Sequence, residues 1–170
     1  MDYSTIFVQS LAIIALLIWA SAYHFKERRT ILLVQLGSFI FWIAHFFLLG
    51  AFTGAALATV AALRLAVFSF KKKNNWISNK IVLWFFIAIL VIATLLTFST
   101  WFGIFALIGG IFATIASWQD KQNKIRLLFI PSHLSWIIYD LLAGSYGGAI
   151  SEFILGASSV ISLFRKKLNK

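Results

Sequence analysis

Seven apolar segments follow one another along the chain, each close to the length of a membrane-crossing helix. Crossing the roughly 30 Å hydrocarbon core takes about 20 helical residues at about 1.5 Å rise per residue. The segments span residues 4–23, 31–49, 52–70, 80–98, 101–118, 126–143 and 146–164. The pattern predicts an all-α polytopic membrane protein with seven transmembrane helices.

Glycine-containing turns separate two pairs of these segments. Gly50 to Gly54 lies between the second and third segments, and Gly144 to Gly148 lies between the sixth and seventh. Glycine adopts a positive φ without steric cost and commonly ends a helix. Each turn therefore predicts a tight connection between two antiparallel helices.

The two turns belong to an internal repeat with an offset of 94 residues. Residues 42–73 align with residues 136–167, and nine of the 32 aligned positions are identical. Trp42 falls on Trp136, Gly50 on Gly144, and the basic cluster after Phe70 on the one after Phe164. A repeat of this length indicates a duplicated structural unit.

The repeat divides the chain into three parts. Residues 1–73 are predicted to form a first triple-helix bundle, residues 74–99 a linker helix, and residues 100–170 a second triple-helix bundle. One crossing between two units of three helices gives both units the same orientation. Parallel repeats of this kind are known among membrane transporters, where the substrate path runs between the units.

Positive charge marks one side of the predicted bundle. Fourteen of the fifteen Lys and Arg residues, all but Arg64, lie at or beside the connections after segments one, three and five or at the C-terminal end. Short cytoplasmic loops are enriched in Lys and Arg. We therefore expect the N-terminus outside and the C-terminus in the cytoplasm.

Composition narrows the classes of function. The chain is 61% hydrophobic with a mean hydropathy of +0.93, so its partner is the lipid bilayer and the net charge of +10 does not indicate nucleic acid. It has no cysteine, three His and five acidic residues. These residues contain no nucleophile–base motif, so we expect no enzyme, no cofactor and no metal.

Ionisable side chains inside a membrane segment are costly and usually functional. Asp140 lies one helical turn after Trp136, so a carboxylate and an indole could face the same ligand. The alternative for Asp140 is a cap of the nearby glycine turn. Glu152 is expected at similar depth, where two acids would favour a cation or a proton, or where Glu152 makes a structural hydrogen bond.

The sequence allows two positions for the Arg64 side chain. Its guanidinium could extend to the cytoplasmic boundary, or it could face the bundle interior and bind a carboxylate or phosphate. Its counterpart in the second copy is Ser158, so such a site would be asymmetric.

Four further residues complete the predicted substrate-binding set. Trp42 is the repeat partner of Trp136, and His45 is the partner of Tyr139. His133 lies one turn before Trp136 and is expected to point to the same region. A metal site from His45, His133, Asp140 and Glu152 lacks a recognisable ligand spacing.

Several stretches resemble the bacterial inner-membrane YgjV family over nearly the whole chain. The similar positions are His45-Phe-Phe-Leu-Leu-Gly50, Gly54-Ala-x-Leu, Trp136-Ile-Ile, Ala143-Gly-Ser-Tyr-Gly-Gly148, Glu152 and Phe164-Arg165. In topology the chain is also similar to the SWEET, SemiSWEET, PQ-loop and PnuC transporters, which implies parallel triple-helix bundles. It departs from them in having a single proline, Pro131, and Asp140 where the PnuC pattern has Asn.

Two functions fit these observations. The first is a transporter or facilitator of a small polar solute by alternating access between the bundles. The second is a non-transporting receptor, scaffold or accessory protein built on the same bundle. With both units in one chain a monomer could be complete, and a homo-oligomer remains open.

Overall fold

The computed structural model of the protein describes residues 3–25, 27–71 and 73–168. Three residues of the predicted basic clusters, Lys26, Lys72 and Lys170, lie outside the described residues, as do the side chains of Arg28 and of residues 165–167.

The described residues form helices and connections without a strand, which confirms the all-α class. The helices are α1 (Tyr3–Ser21), α2 (Arg28–Leu48), α3 (Phe52–Phe68), α4 (Lys80–Thr97), α5 (Gly103–Trp118), α6 (Gln122–Leu142) and α7 (Tyr146–Leu168), with a short 3-10 turn at Ala22–His24. The repeat is visible in these bounds, because adding 94 to the limits of α2 gives the limits of α6.

Four of the helices, α2, α4, α6 and α7, are long and apolar enough to cross a membrane. The other three, α1, α3 and α5, are apolar but shorter, with 16 or 17 residues in their apolar stretches. A helix of 17 residues is about 25 Å long, somewhat less than the hydrocarbon core. Each short helix packs against at least two longer ones, so all seven belong to one polytopic bundle.

The predicted segments and the helices agree closely, except at the start of α6. This helix begins at Gln122, whereas the apolar segment begins near residue 126. Its first turn contains Lys124 and Arg126, which are good helix formers with side chains suited to the headgroup region. Hydropathy marks the lipid-buried part of a helix and misses such an extension.

Both glycine turns have the same backbone geometry. Gly50 and Gly144 each have φ of 74° and are the positive-φ residues in the described chain. After each glycine the next amide donates back to the helix, from Ala51 to Phe46 O at 2.9 Å and from Ser145 to Asp140 O at 2.8 Å. This is the Schellman ending of a helix, in which glycine avoids the steric penalty of a left-handed conformation.

Six helices close into a ring. Neighbouring contacts run α1–α2, α2–α3, α3–α5, α5–α6, α6–α7 and α7–α1, while α4 packs on α3 and α5. Within the described chain α1 does not pack on α3, nor α5 on α7. Each copy of the repeat is therefore an arc of three helices, and the two arcs together enclose the centre.

The two ends of the ring differ in chemistry. At the basic end, Lys71 Nζ donates to Trp118 O at 2.5 Å and lies 3.3 Å from Asp120, and the Arg29 guanidinium lies 5.0 Å from the centroid of Phe70. These contacts bring the Lys- and Arg-bearing connections together. The turn end, defined by Gly50 and Gly144, is opposite.

Polarity is distributed for a lipid environment. Large apolar side chains such as Ile40, Leu96 and Phe153 are exposed on the outer surface of the ring, while Arg64, His133 and Asp140 are buried. A bilayer would cover the apolar exterior, since chains soluble in water rarely expose so continuous an apolar surface.

Candidate functional site

A cavity of about 80 Å³ lies at the centre of the ring, with side chains from all seven helices in its wall. It is at mid-depth, because its lining residues come from the middle of α2, α5 and α6. Its polar side chains are Arg64, Ser132, His133 and Glu152, and its aromatic side chains are Trp19, Phe39, Trp42, Phe46, Phe129 and Trp136. The cavity thus combines an aromatic wall with three ionisable groups.

The repeated tryptophans meet at this cavity through one phenylalanine. The Phe46 ring stacks on Trp42 and on Trp136, with a centroid separation of 5.9 Å in both pairs. Phe46 is the repeat counterpart of Asp140. The position between the two tryptophans is therefore filled by the ring of the first copy and not by the carboxylate of the second. Stacked rings hold the two arcs together beside the cavity.

Arg64 faces the interior and does not extend to the boundary, since the residue is 3% exposed. Its Nη1 donates to Thr114 Oγ1 at 2.6 Å and makes a longer 3.5 Å contact with Gly110 O, both on α5. Its Nε is buried without a hydrogen-bond partner. The ion pairs of the described residues, Lys71–Asp120 and His133–Glu152, do not include Arg64. Arg64 is therefore a buried cation without a direct counter-charge.

Glu152 is held by His133. His133 Nδ1 lies 2.5 Å from Glu152 Oε2, and both side chains line the cavity. The His133 ring also stacks on Phe129 with centroids 5.5 Å apart. Sequence reasoning placed Glu152 near Asp140 and left its partner open, whereas the structure joins it to an imidazole one helix away.

Trp136 and Asp140 separate, although they lie on one side of α6. Trp136 lines the cavity, while Asp140 is one turn nearer the turn end and 1% exposed. A Cβ added to Gly148 would lie 2.8 Å from Asp140 Oδ2, so this carboxylate packs against the backbone of α7. The Ser145 hydroxyl is adjacent, yet neither carboxylate oxygen makes a hydrogen bond of good geometry.

His45 and Tyr139 lie at the turn end, where they connect the two arcs. His45 Nε2 lies 2.7 Å from Ser145 Oγ, and the amide of Gly54 donates to the Tyr139 hydroxyl at 2.8 Å. Each side chain thus reaches the turn region of the other copy. His45 Nδ1 must carry a hydrogen, because its 2.7 Å partner is the Val8 carbonyl, so neutral His45 accepts from Ser145.

A third connection closes the same end. Gln9 donates from Nε2 to Gly144 O at 2.8 Å and accepts at Oε1 from the Gly147 amide at 2.7 Å. Together with His45–Ser145 and Tyr139–Gly54, it forms what we call the turn-end lock. The lock joins α1 and α2 to the region of the turn between α6 and α7, and it joins α3 to α6.

Of the eight predicted site residues, five line the cavity and three lie at the turn end. Those at the cavity are Trp42, Arg64, His133, Trp136 and Glu152. His45, Tyr139 and Asp140 are buried beside the lock. The four candidate metal ligands are not brought together, and no group of three His, Cys, Asp or Glu occurs among the described residues.

Sequence reasoning missed the partners of these residues. Thr114, Ser145 and Gln9 are single polar residues in apolar or turn sequence, and nothing in their spacing distinguishes them from helix or turn positions that bond locally. Phe46 was unremarkable among eighteen Phe residues.

One comparison with known proteins found a match, and it agrees with a membrane protein. The model of the Imp-YgjV family, described as bacterial inner membrane protein, matches residues 6–170. No curated protein and no solved structure matches the chain.

Proposed function

The chain belongs to the YgjV family of bacterial inner membrane proteins, and we propose that it is a transporter or facilitator that moves a small polar solute through the central cavity. The observation that carries this proposal is that Arg64, His133 and Glu152 line one cavity between the two arcs. Charged groups at membrane depth are costly, and they are commonly retained where they bind a solute or an ion.

The duplicated architecture supports alternating access. Transporters built from repeats bind substrate near the bilayer midplane, at the interface of the repeats, and rock one repeat against the other. Here the cavity lies between the arcs, and the turn-end lock joins the arcs on one side of it. We infer that this conformation is closed at the turn end, and that opening there requires the lock to break.

The scaffold alternative predicts charged side chains that face lipid or headgroups. Arg64 and Glu152 instead face the cavity, and Asp140 is buried against α7. This placement favours transport over a bundle that only supports a partner protein.

The experiment is a solute panel against purified protein, first by thermal stability in detergent and then by uptake into proteoliposomes. A ligand that binds the folded state raises its apparent melting temperature. Sugars, nucleosides, amino acids, carboxylates and organic cations cover the polar classes. The cavity variant Glu152→Gln is expected to change the response, while Glu27→Gln, a carboxylate at the connection before α2 that bonds Thr30, keeps it as in the wild-type protein.

Binding and uptake of at least one class, changed in Glu152→Gln and unchanged in Glu27→Gln, would support the proposal. No binding and no uptake across the panel by well-folded protein would overturn it and leave the scaffold function.

A further inference from the structure

We propose that the solute is a small monocarboxylate, held by Arg64, and that it enters the cavity together with one proton that binds His133. This inference rests on the proposed transport function of the same cavity and names its substrate class and coupling ion.

The guanidinium of Arg64 points to a carboxylate. Its Nη1 donates to Thr114 and Gly110, its Nε is buried against protein, and no hydrogen bond from Nη2 occurs among the described residues. Nη2 can therefore donate to a carboxylate oxygen in the cavity that Arg64 lines. No carboxylate of the described structure touches Arg64, so an anion bound there would gain a direct charged hydrogen bond.

The opposite wall of the cavity carries the compensating charge. Glu152 lies on α7, and α3 and α7 are separated in the ring by two helices on either side. Glu152 contacts His133 and forms no ion pair with Arg64. If Nδ1 of His133 donates to the ionised Glu152, the free nitrogen of the imidazole is Nε2, and this nitrogen can accept a proton.

Charge balance couples the proton to the anion. With His133 neutral, Arg64 and Glu152 give the empty cavity no net charge. A bound monocarboxylate would make it −1, and protonation of His133 at Nε2 returns it to zero. A low-dielectric site strongly favours the neutral combination, so each ligand favours binding of the other. The proton comes from solvent and leaves with the carboxylate.

The surroundings of His133 contain no other group that would take this role. From α7 it faces Glu152, and across the cavity it faces Arg64 on α3. Helix α5 carries no titratable residue between Gly103 and Trp118. Asp140, farther along α6, packs on Gly148, and His45 on α2 is held by Val8 and Ser145 at the turn end.

Cavity size sets the size of the ligand. A cavity of about 80 Å³ admits only a small solute. A carboxylate of comparable size has about four to six non-hydrogen atoms, such as acetate, propionate or lactate. The stacked Trp42, Phe46 and Trp136 offer an apolar surface for its short carbon chain.

The first test compares carboxylates with neutral and cationic molecules of similar size on the wild-type protein. Acetate, propionate and lactate are expected to raise the melting temperature and to bind in calorimetry, whereas acetamide, propionamide and ethylammonium do not. Chloride and nitrate, added as separate arms, distinguish recognition of a carboxylate from recognition of any monoanion. Equal binding of an acid and its amide would overturn the proposal without any variant.

Variants then test whether Arg64 binds the carboxylate. Arg64→Gln is expected to weaken carboxylate binding roughly 10- to 100-fold, as loss of a charged hydrogen-bond donor does. Arg64→Lys keeps the charge but moves the donor away from the position of Nη2, so its affinity should fall between those of the wild-type protein and Arg64→Gln. Lys71→Gln removes a cation at the basic end, outside the cavity, and should bind as wild type does.

Proton uptake tests the coupling. Binding heats measured in two buffers of different ionisation enthalpy give the number of protons taken up per carboxylate, which is expected to approach one. The variant His133→Gln should bind the carboxylate without taking up a proton. The variant His24→Gln, which changes an exposed histidine after α1, should keep the proton uptake. Proton uptake that is absent in the wild-type protein, or that persists in His133→Gln, contradicts the assignment of His133 as the proton acceptor.

Failure of this inference differs from failure of transport. If neutral or cationic solutes are bound and taken up and carboxylates are not, the substrate class is wrong while the transporter function stands. If no solute of any class binds or crosses, the transporter function itself is overturned.

Discussion

Arg64 and Glu152 line one cavity from opposite sides of the helix ring without forming an ion pair. Arg64 comes from the first copy of the repeat and Glu152 from the second. Their counterparts, Ser158 and Ala58, carry no charge. The duplication therefore supplies the symmetric frame, and the charged groups of the cavity break that symmetry.

This separation predicts coupling between two residues that do not touch. Glu152→Gln removes the negative charge that balances Arg64, so we expect the free energy of unfolding to fall by roughly 1–3 kcal/mol. Arg64→Gln in the same protein should recover part of the loss, because the cavity is then neutral again. A double-mutant cycle on unfolding in mixed micelles measures this interaction. Strictly additive losses would show that the two charges do not sense each other.

The two glycines in the middle of α5 make a matched pair for testing the seat of Trp136. A Cβ on Gly109 would lie 2.6 Å from the Trp136 ring, while a Cβ on Gly110 would make an ordinary 3.5 Å contact with Leu90. Gly109→Ala should therefore displace the indole and destabilise the fold by about 1–3 kcal/mol, as overpacking does. Gly110→Ala should be neutral or stabilising by up to about 1 kcal/mol, because alanine favours the helix.

The measurement is thermal unfolding of both variants, with tryptophan fluorescence as a report on the cavity wall. If Gly110→Ala proves the more damaging of the two, the packing described for Trp136 is wrong.

Tyr139 tests the turn-end lock. Tyr139→Phe keeps a ring that is 1% exposed but leaves the buried amide of Gly54 without its acceptor. We expect a loss of about 1–3 kcal/mol in unfolding free energy, the usual cost of a buried unsatisfied donor. Tyr146→Phe, at a 55% exposed side chain, is the control and should change little.

Hydrogen exchange gives a second readout for the same pair. The amides at the start of α3 should exchange faster in Tyr139→Phe if the lock holds the turn end closed. Unchanged exchange there would mean that the hydroxyl is not part of the closure.

Orientation in the membrane follows from the basic end, which we predict to be cytoplasmic. The chain has no cysteine, so single cysteines can be added without removing any. Asn75→Cys lies in the exposed connection after α3 and Ser99→Cys in the exposed connection after α4, at opposite ends of α4. An impermeant maleimide should label residue 99 on intact cells and residue 75 only after permeabilisation. The reverse pattern would place the N-terminus inside.

The sequence predicted the local features well. Hydropathy located all seven helices because the length of an apolar stretch reports burial in lipid directly, and the error at α6 arose where the helix leaves the apolar layer. The conformations of Gly50 and Gly144 were predictable because a positive φ is a property of the residue itself. Because the sequence repeats, the helix positions and the glycine conformation predicted for one copy also applied to the other.

The sequence also identified the ionisable residues that the structure places at the cavity and the turn end, because a charge in an apolar segment stands out by its cost. The sequence could not decide whether Arg64 extends to the cytoplasmic boundary or faces the bundle interior. The direction of its side chain depends on how the helix is rotated against its neighbours. Trp136 and Asp140 share a side of α6, yet one turn of rise places the first at the cavity and the second against Gly148.

What the sequence by itself determined was the set of helices, the turns and the duplication, all of which depend on residues close together in the chain. Only the tertiary structure decided that the arcs close into a ring, that His133 pairs with Glu152, and that Arg64 meets Thr114 and no carboxylate. These relationships join residues from different helices. They depend on the rotation and depth of each helix against its neighbours, which packing of the whole bundle sets.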